Sequence, residues 1–158
     1  ANPALIRKME GAETDLERLS CISRAVQRGT ANQSLYTTHI GKVAREDLIA
    51  YVADFLLQVE EISWVVISGI VNDNIVISVR TLDESRDAGE FVKNHFGDIG
   101  SAGGHRAMAK AVAPLTRFKQ KFGSIEPDRI HTATRLLADQ FLRVAQGSKN
   151  NNAINQRH

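Results

Sequence analysis

Residues 63–82 read SWVVISGIV-NDN-IVISVRTL and set the architecture of the chain. Ser63–Val71 and Ile75–Leu82 are rich in β-branched residues, which favour strands. The three residues between them, Asn72-Asp73-Asn74, are typical of a turn. This stretch therefore predicts a β-hairpin.

The second strand of the hairpin has two chemically different faces, because successive side chains of a strand point in opposite directions. The alternate residues Ile75, Ile77 and Val79 are all apolar, so their face of the strand should pack against a core. Val76, Ser78 and Arg80 take the other face. A hydroxyl and a guanidinium should therefore point the same way at the end of this strand.

Helices are predicted on both sides of the hairpin. Thr14-Asp15-Leu16-Glu17 has the pattern of a capping box, and Gly29 can end the helix that follows. In this first helix, one face would carry Leu16, Leu19, Ile22 and Val26. The helical spacing of apolar residues predicts a second helix over about 45–61, and a short one follows over Asp87–Phe96, closed by Gly97. A last helix should begin at Pro127. Its apolar stripe would consist of Ile130, Ala133, Leu137, Phe141 and Val144.

Two more strands are predicted, a short one around Ser34–Ile40 and another over Ala109–Leu115. Strands interleaved with helices indicate an α/β or α+β domain, with a small mixed β-sheet flanked by helices. The predicted organisation is an N-terminal linker helix (1–30), a substrate-binding domain (31–120), a C-terminal helix (121–147) and a disordered tail (148–158).

Composition limits the function classes. The chain has 158 residues, room for one domain of average size, and one cysteine, Cys21, which is expected to be a packed thiol. A single cysteine cannot form an internal disulfide, which fits a reducing cytosol, so we expect a cytoplasmic protein. No apolar run is long enough to span a membrane and no signal peptide is visible, so we expect no membrane contact.

Charge is divided unevenly along the chain. Residues 1–99 hold 10 Lys and Arg against 15 Asp and Glu, whereas residues 100–158 hold 10 against 3. Such asymmetry is found where a surface meets phosphate or nucleic acid, but a solvated basic helix and tail would give the same numbers.

The densest signal for chemistry is Gly100–His105, which holds three glycines in six residues. Glycines let the backbone approach a ligand closely, and successive N–H groups of such a loop can cradle an anion. A plain glycine turn is the alternative. Arg80, at the end of its strand, has the planar fork that suits a phosphate.

These elements occur in a familiar order. Ser78-Val79-Arg80-Thr81 ends the hairpin, Phe96-Gly97 ends a short helix, and Ala102-Gly103-Gly104-His105 follows. Over roughly residues 35–118 the chain resembles the C-terminal, DHH-associated domain of DHH-family phosphoesterases. That domain typically carries Ser-x-Arg-Ser, then Phe-Gly, then Gly-Gly-Gly-His.

The resemblance implies a substrate-binding role. Arg80 would hold a phosphate with Ser78 assisting, the amides of Gly103 and Gly104 would line the pocket, and His105 would contact substrate. The chain departs from the family at Ala102, which replaces a glycine and could alter the cradle. It also departs at Lys110, which adds charge beside the pocket or points to solvent.

The chain lacks an Asp-His-His triplet and any cluster of histidines and carboxylates at metal-ligand spacing. His39, His95, His131 and His158 are therefore expected to be surface or core histidines. The resemblance implies that hydrolysis uses a pair of divalent metal ions, with manganese expected, and that a separate N-terminal DHH domain holds them. This chain alone is expected to bind no metal and to be inactive.

We therefore expect the domain of a hydrolase that recognises a nucleotide or short-oligonucleotide phosphate. Its partners would be that substrate and the DHH domain of the same protein. The alternative is a non-catalytic nucleic-acid-binding module similar to the C-terminal domain of alanyl-tRNA synthetases. For that alternative, Arg129, Arg135 and Arg143 could follow a polynucleotide backbone. Assembly into a homodimer through apolar helix stripes is a further option.

Overall fold

The computed structural model describes the backbone of residues 3–155 and the side chains of residues 16–144. Within that part of the chain, a six-stranded sheet is flanked by five helices. The strands are β1 (Thr30–Asn32), β2 (Leu35–Lys42), β3 (Trp64–Val71), β4 (Asn74–Thr81), β5 (Ser101–Gly104) and β6 (Met108–Pro114). The helices are α1 (Pro3–Arg28), α2 (Glu46–Leu56), α3 (Ala88–Phe96), α4 (Leu115–Phe122) and α5 (Pro127–Asn155).

The sheet is mixed, with the strand order β1-β2-β3-β4-β6-β5. Strands β2 and β3 are parallel, so the chain must cross over between them, and α2 makes that crossover. Every other neighbouring pair is antiparallel. The predicted hairpin is β3–β4, with Asn72 in the left-handed region at its turn (φ 55°). The predicted fold class is confirmed.

The alternation predicted for β4 is also confirmed, and it divides the core into two layers. Ile75, Ile77 and Val79 pack with α3, α4 and α5 on one face of the sheet. Val76 packs with α1 and α2 on the other face. Helix α2 covers β3 and β4 on that second face and leaves β5 and β6 open beside it. This open area holds the candidate site.

Helix α1 differs from the prediction in its start and in its buried face. Its backbone is helical from Pro3, so the capping box predicted at Thr14 is wrong because residues 14–17 lie inside the helix. The helix packs through its small residues Cys21 and Ala25, which allow close contact with β2 and α2. The predicted apolar stripe is therefore mostly exposed, at Leu16, Leu19 and Val26.

Helix α5 starts at Pro127 as predicted, and Ile130 in its first turn is fully buried against the core. Val144, the last residue of the predicted stripe, is exposed. The backbone is helical up to Asn155, in contrast to the disordered tail predicted from residue 148, and residues 156–158 lie outside the described part. Helix α4 and strand β1 were not predicted from the sequence.

Candidate functional site

The five residues predicted to bind substrate line one cleft of about 530 Å³ between α2 and the open part of the sheet. We call it the α2 cleft. The predicted residues are Ser78 and Arg80 on β4, Gly103 and Gly104 on β5, and His105 after β5. The cleft is completed by Glu46, Asp47 and Ala50 of α2 and by Met108, Ala109 and Lys110 of β6.

Strand register places the polar residues of the floor in a row. Ser78 of β4 lies opposite Lys110 of β6, and Lys110 in turn lies opposite Gly103 of β5. Residues that pair across strands share a face of the sheet, so this row crosses the floor of the cleft. Among the described residues none hydrogen-bonds the Ser78 hydroxyl, although Ser78 is buried. The hydroxyl is therefore available to a ligand in the cleft.

Arg80 is held at the floor by two contacts. Its Nε donates to Oδ1 of Asp54 on α2 at 2.9 Å, and its Nη1 donates to the Val79 carbonyl at 3.2 Å. The Arg80 side chain is only 11% exposed, whereas that of Asp54 is 63% exposed. A largely buried guanidinium thus depends on a single carboxylate that water also reaches. An anion in the cleft could compete with that carboxylate.

The glycine run is an edge strand, not the predicted loop. Residues 101–104 form β5, which pairs with β6 on one side and has no strand on the other. One row of its backbone amides is consequently left unused by the sheet. The His105 N–H donates to the Met108 carbonyl, so the alternation of an antiparallel ladder pairs Gly103 with Lys110 and turns the Gly104 amide away from β6. Of the two amides predicted to line the pocket, that of Gly104 is left unused by the sheet, and the predicted loop cradle at a helix start is not formed.

The two glycines of β5 meet different surroundings. Gly104 has φ +150°, and a Cβ there would overlap the Met108 carbonyl and lie 2.5 Å from the Ala109 Cα. A Cβ on Gly103 would meet only Lys93 Cε, at 3.9 Å. Gly104 is therefore required by the backbone, whereas Gly103 leaves open space on the cleft face.

Ala102, the first departure from the family pattern, does not obstruct the cleft. It pairs with Ala111 of β6, and both belong to the core layer on the opposite face. Its methyl group packs beneath the sheet, so the cradle is not altered in the way the sequence suggested.

His105 is exposed at the mouth of the cleft, and its backbone is fixed on both sides. Its N–H donates to the Met108 carbonyl at 2.7 Å, and its carbonyl accepts from the Gly89 N–H at 3.2 Å. The second bond ties the turn to the start of α3. The imidazole is thereby held on a rigid backbone with its ring free to meet a ligand.

The sequence reasoning missed the acidic residues of α2. Glu46 accepts a 2.8 Å hydrogen bond from Lys110 Nζ, and Asp54 accepts the one from Arg80. Asp47 also lines the cleft, and its Oδ1 accepts from Arg45 Nε at 3.0 Å. Helical spacing could have placed Glu46, Ala50 and Asp54 on one face of α2, but not that this face meets β4 and β6. The cations of the cleft are thus already paired with carboxylates.

Three histidines outside the cleft have structural partners, and His158 lies outside the described residues. Buried His39 bonds Ser68 Oγ through Nδ1 at 2.8 Å, and burial lowers its pKa to about 4. His131 Nε2 lies 3.1 Å from Thr37 Oγ1, and burial lowers its pKa too. His95 is half-buried, packs against Phe91, and also has a pKa lowered by burial. Their surroundings match the packing roles expected for them.

A larger cleft of about 820 Å³ lies between α3 and α5 and contains none of the five predicted residues. Its central cation is Arg86, which stacks on the Phe141 ring at 4.3 Å and donates to the Phe141 carbonyl. Arg86 thereby fastens the segment before α3 to α5. Because its guanidinium is used in packing, this cleft is a weaker candidate for a functional site than the α2 cleft.

Among the side chains of residues 16–144, no group of three or more His, Cys, Asp or Glu is arranged to hold a metal ion. None of the helices in the described part of the chain has the length and apolar character needed to cross a bilayer.

No model of a known protein family matches the chain. An uncharacterized protein of Methanocaldococcus jannaschii is 33% identical over 117 residues, which are 73% of this chain and 24% of that protein. The chain thus spans about a quarter of the length of the curated relative that it matches.

Solved structures agree with the expected fold. The C-Ala domain of Aquifex aeolicus alanyl-tRNA synthetase has a TM-score of 0.52 and 18% identity, over 72% of this chain and 97% of that one. RecJ of Thermus thermophilus, solved with Mg²⁺, has a TM-score of 0.52 and 14% identity, over 74% of this chain and 18% of RecJ. An exopolyphosphatase-related protein of Bacteroides fragilis has a TM-score of 0.51 and 10% identity, over 78% of this chain and 34% of that one. At these identities the likeness concerns the fold alone.

Proposed function

We propose that this chain is the substrate-binding domain of a DHH-type phosphoesterase. The α2 cleft would hold the phosphate end of a nucleotide or short oligonucleotide. Hydrolysis would take place at divalent metal ions, manganese being the first to test, held by a DHH domain outside these 158 residues. The length of the Methanocaldococcus jannaschii relative, about four times that of the matched region, is compatible with further domains.

One observation carries this proposal. Two motifs that lie more than twenty residues apart, Ser78-Val79-Arg80 and Gly103-Gly104-His105, meet in a single cleft. There a mostly buried guanidinium and an unbonded hydroxyl lie beside an exposed imidazole. Arg80 would donate from Nη2 to a phosphate oxygen, and the Ser78 hydroxyl would donate to the same group.

The remaining surface of the cleft suits the uncharged part of a nucleotide. Ala50 of α2 and Met108 of β6 give it an apolar lining, and Met108 is about half exposed. A thioether side chain adapts to flat apolar groups such as a nucleobase. Met108 pairs directly with Arg80 across the strands, so a base on Met108 would leave its phosphate near Arg80.

The experiment is a calorimetric titration of a 5′-phosphorylated trinucleotide of RNA into the wild-type chain, Arg80→Ala and the control Arg117→Ala. Arg117 is exposed on α4 and carries the same charge outside the cleft. We expect Arg80→Ala to weaken binding by about tenfold to a hundredfold, the equivalent of one charged hydrogen bond, and Arg117→Ala to have little effect. Equal affinity of wild type and Arg80→Ala would refute the proposal.

A second candidate is a nucleic-acid-binding module that uses α5. The C-Ala domain of alanyl-tRNA synthetase is matched over nearly all of its length, which favours an independent module. Exposed Arg129 and Arg143 lie on α5, while Arg135 is 3.9 Å from Asp139. Binding that falls steeply with salt, is reduced in Arg129→Ala and is indifferent to Arg80→Ala would favour this candidate.

A further inference from the structure

A further cleft, of about 440 Å³, lies on the face of the sheet that α5 covers, opposite to the α2 cleft. It is bounded by the β1–β2 turn, the start of β3, the segment after β4 and helix α5. The described residues that line it are all different from those that line the α2 cleft. Its apolar lining consists of Leu35, Trp64 and Leu142. We call it the Trp64 cleft.

Two buried N–H donors at this cleft have no acceptor. Trp64 is 2% exposed, and among the described residues none accepts from its indole Nε1. Arg86 also lines the cleft; its Nη2 donates to the Phe141 carbonyl, but its buried Nε finds no partner in the same part of the chain. Indole and guanidinium nitrogens can only donate, so both need an acceptor. Buried donors without one are rare in native proteins, which points to an acceptor group supplied by a ligand.

The same cleft holds a carboxylate that is short of donors. Asp139 of α5 is only 7% exposed. Its Oδ1 accepts from Asn32 Nδ2 at 3.0 Å. Among the described residues its Oδ2 has Arg135 Nη1 at 3.9 Å, which is too long for a hydrogen bond. A buried carboxylate is costly unless it is paired and hydrogen-bonded, so a positively charged N–H group of a ligand would stabilise Asp139.

Charge in the Trp64 cleft is balanced. Its charged lining residues are two cations and two carboxylates, namely Arg86, Arg143, Asp83 and Asp139. Asp83 is used within its own turn, where its Oδ1 accepts from the N–H and the hydroxyl of Ser85. A lining of this kind gives no preference for an anion such as phosphate, and it complements a ligand that carries both signs and no net charge.

We propose that the Trp64 cleft binds a small zwitterion, an α-amino acid with an apolar side chain. The ligand carboxylate accepts from Trp64 Nε1 and Arg86 Nε. The ligand ammonium group donates to Asp139 Oδ2, and the ligand side chain lies against Leu35 and Leu142. Charge-assisted hydrogen bonds at both ends supply the affinity. This inference is independent of the proposed function, because the two clefts lie on opposite faces of the sheet.

The test follows the fluorescence of Trp64, the only tryptophan of the chain, during titration with three probes. The probes are L-leucine, 4-methylpentanoate, which is leucine without its ammonium group, and 3-methylbutylamine, which is leucine without its carboxylate. We expect a saturable change in emission with L-leucine. Each of the other probes should bind about tenfold more weakly or worse, because it leaves one end of the cleft unpaired.

A variant of the acidic end separates the two charges of the ligand. Asp139→Asn can still accept from Asn32 but has no charge, so it should weaken L-leucine binding about tenfold and leave 4-methylpentanoate binding unchanged. Asp73→Asn makes the same change at the exposed β3–β4 turn, outside the cleft, and should leave the affinity for L-leucine unchanged.

Three results would overturn the proposal. The first is the absence of L-leucine binding both by fluorescence and by calorimetry of the same titration. The second is equal affinity for the three probes, and the third is a folded Asp139→Asn chain that binds L-leucine as tightly as the wild type. Circular dichroism checks the fold of the variant, and if Asp139→Asn does not fold, the comparison of the three probes on the wild type decides.

Discussion

Two adjacent glycines of β5 should respond to alanine in opposite ways. At Gly104 the φ of +150° is rarely adopted by an L-residue, and the new methyl group would overlap the backbone of Met108 and Ala109. Strain at such a position costs about 1–3 kcal/mol, and the overlap adds to it, so we expect Gly104→Ala to lose about 3 kcal/mol or more.

Gly103→Ala should instead leave stability unchanged or raise it by up to about 1 kcal/mol. The methyl group meets only Lys93 Cε at 3.9 Å, and alanine reduces the conformational freedom of the unfolded chain. Because this methyl group would stand on the cleft face beside Lys110, the same variant should bind nucleotide more weakly while staying folded.

The assay is urea denaturation followed by tryptophan fluorescence, since Trp64 is the only tryptophan and is buried. Free energies of unfolding from the linear extrapolation should differ by about 3–4 kcal/mol between the two variants. If both variants lost stability equally, the register of β5 on β6, and with it the position of Gly103 in the cleft, would be wrong.

Three further predictions test other contacts. Asp54→Asn removes the carboxylate that competes with phosphate for Arg80, so it should strengthen phosphate binding about fivefold, which corresponds to about 1 kcal/mol. Stability should fall little, because Asp54 is mostly exposed. Calorimetry measures the affinity, and weaker binding would contradict the prediction. His39 has a pKa lowered from 6.5 to about 4 in the fold, so the unfolded chain takes up its proton first and stability should fall by roughly 3 kcal/mol as the pH drops from 6.5 to 4. Unfolding curves across that range should show a smaller fall in His39→Gln, and an identical fall would exclude His39 as the source. On α1, Ala25→Lys should unfold the domain whereas Val26→Lys should be tolerated, because Ala25 is fully buried and Val26 exposed; equal melting temperatures would overturn the orientation of that helix.

The sequence was most informative where structure is local. The β3–β4 hairpin and helix α3, with Asp87 as its N-cap accepting from the Glu90 N–H, follow from neighbouring residues. The alternation along β4 was enough to put Ser78 and Arg80 on one face. This alternation explains why Ser78 and Arg80 line the same cleft.

Features that depend on distant contacts were missed. The run Ser101–Gly104 has little strand propensity, and it is a strand because β6 pairs with it. The Arg80–Asp54 contact joins residues 26 apart and requires α2 to cross over between parallel strands. On α1, hydrophobic periodicity indicated the leucine face, whereas the small residues Cys21 and Ala25 allow the closest packing.

The central claim is that nucleotide phosphate binds in the α2 cleft. The most direct measurement is amide chemical-shift mapping of the isotope-labelled chain during titration with a 5′-phosphorylated dinucleotide. We expect the largest shifts at Ser78, Arg80, Gly103 and Lys110, and we expect them to disappear in Arg80→Ala. Shifts concentrated along α5, with the four cleft residues unmoved, would contradict the claim.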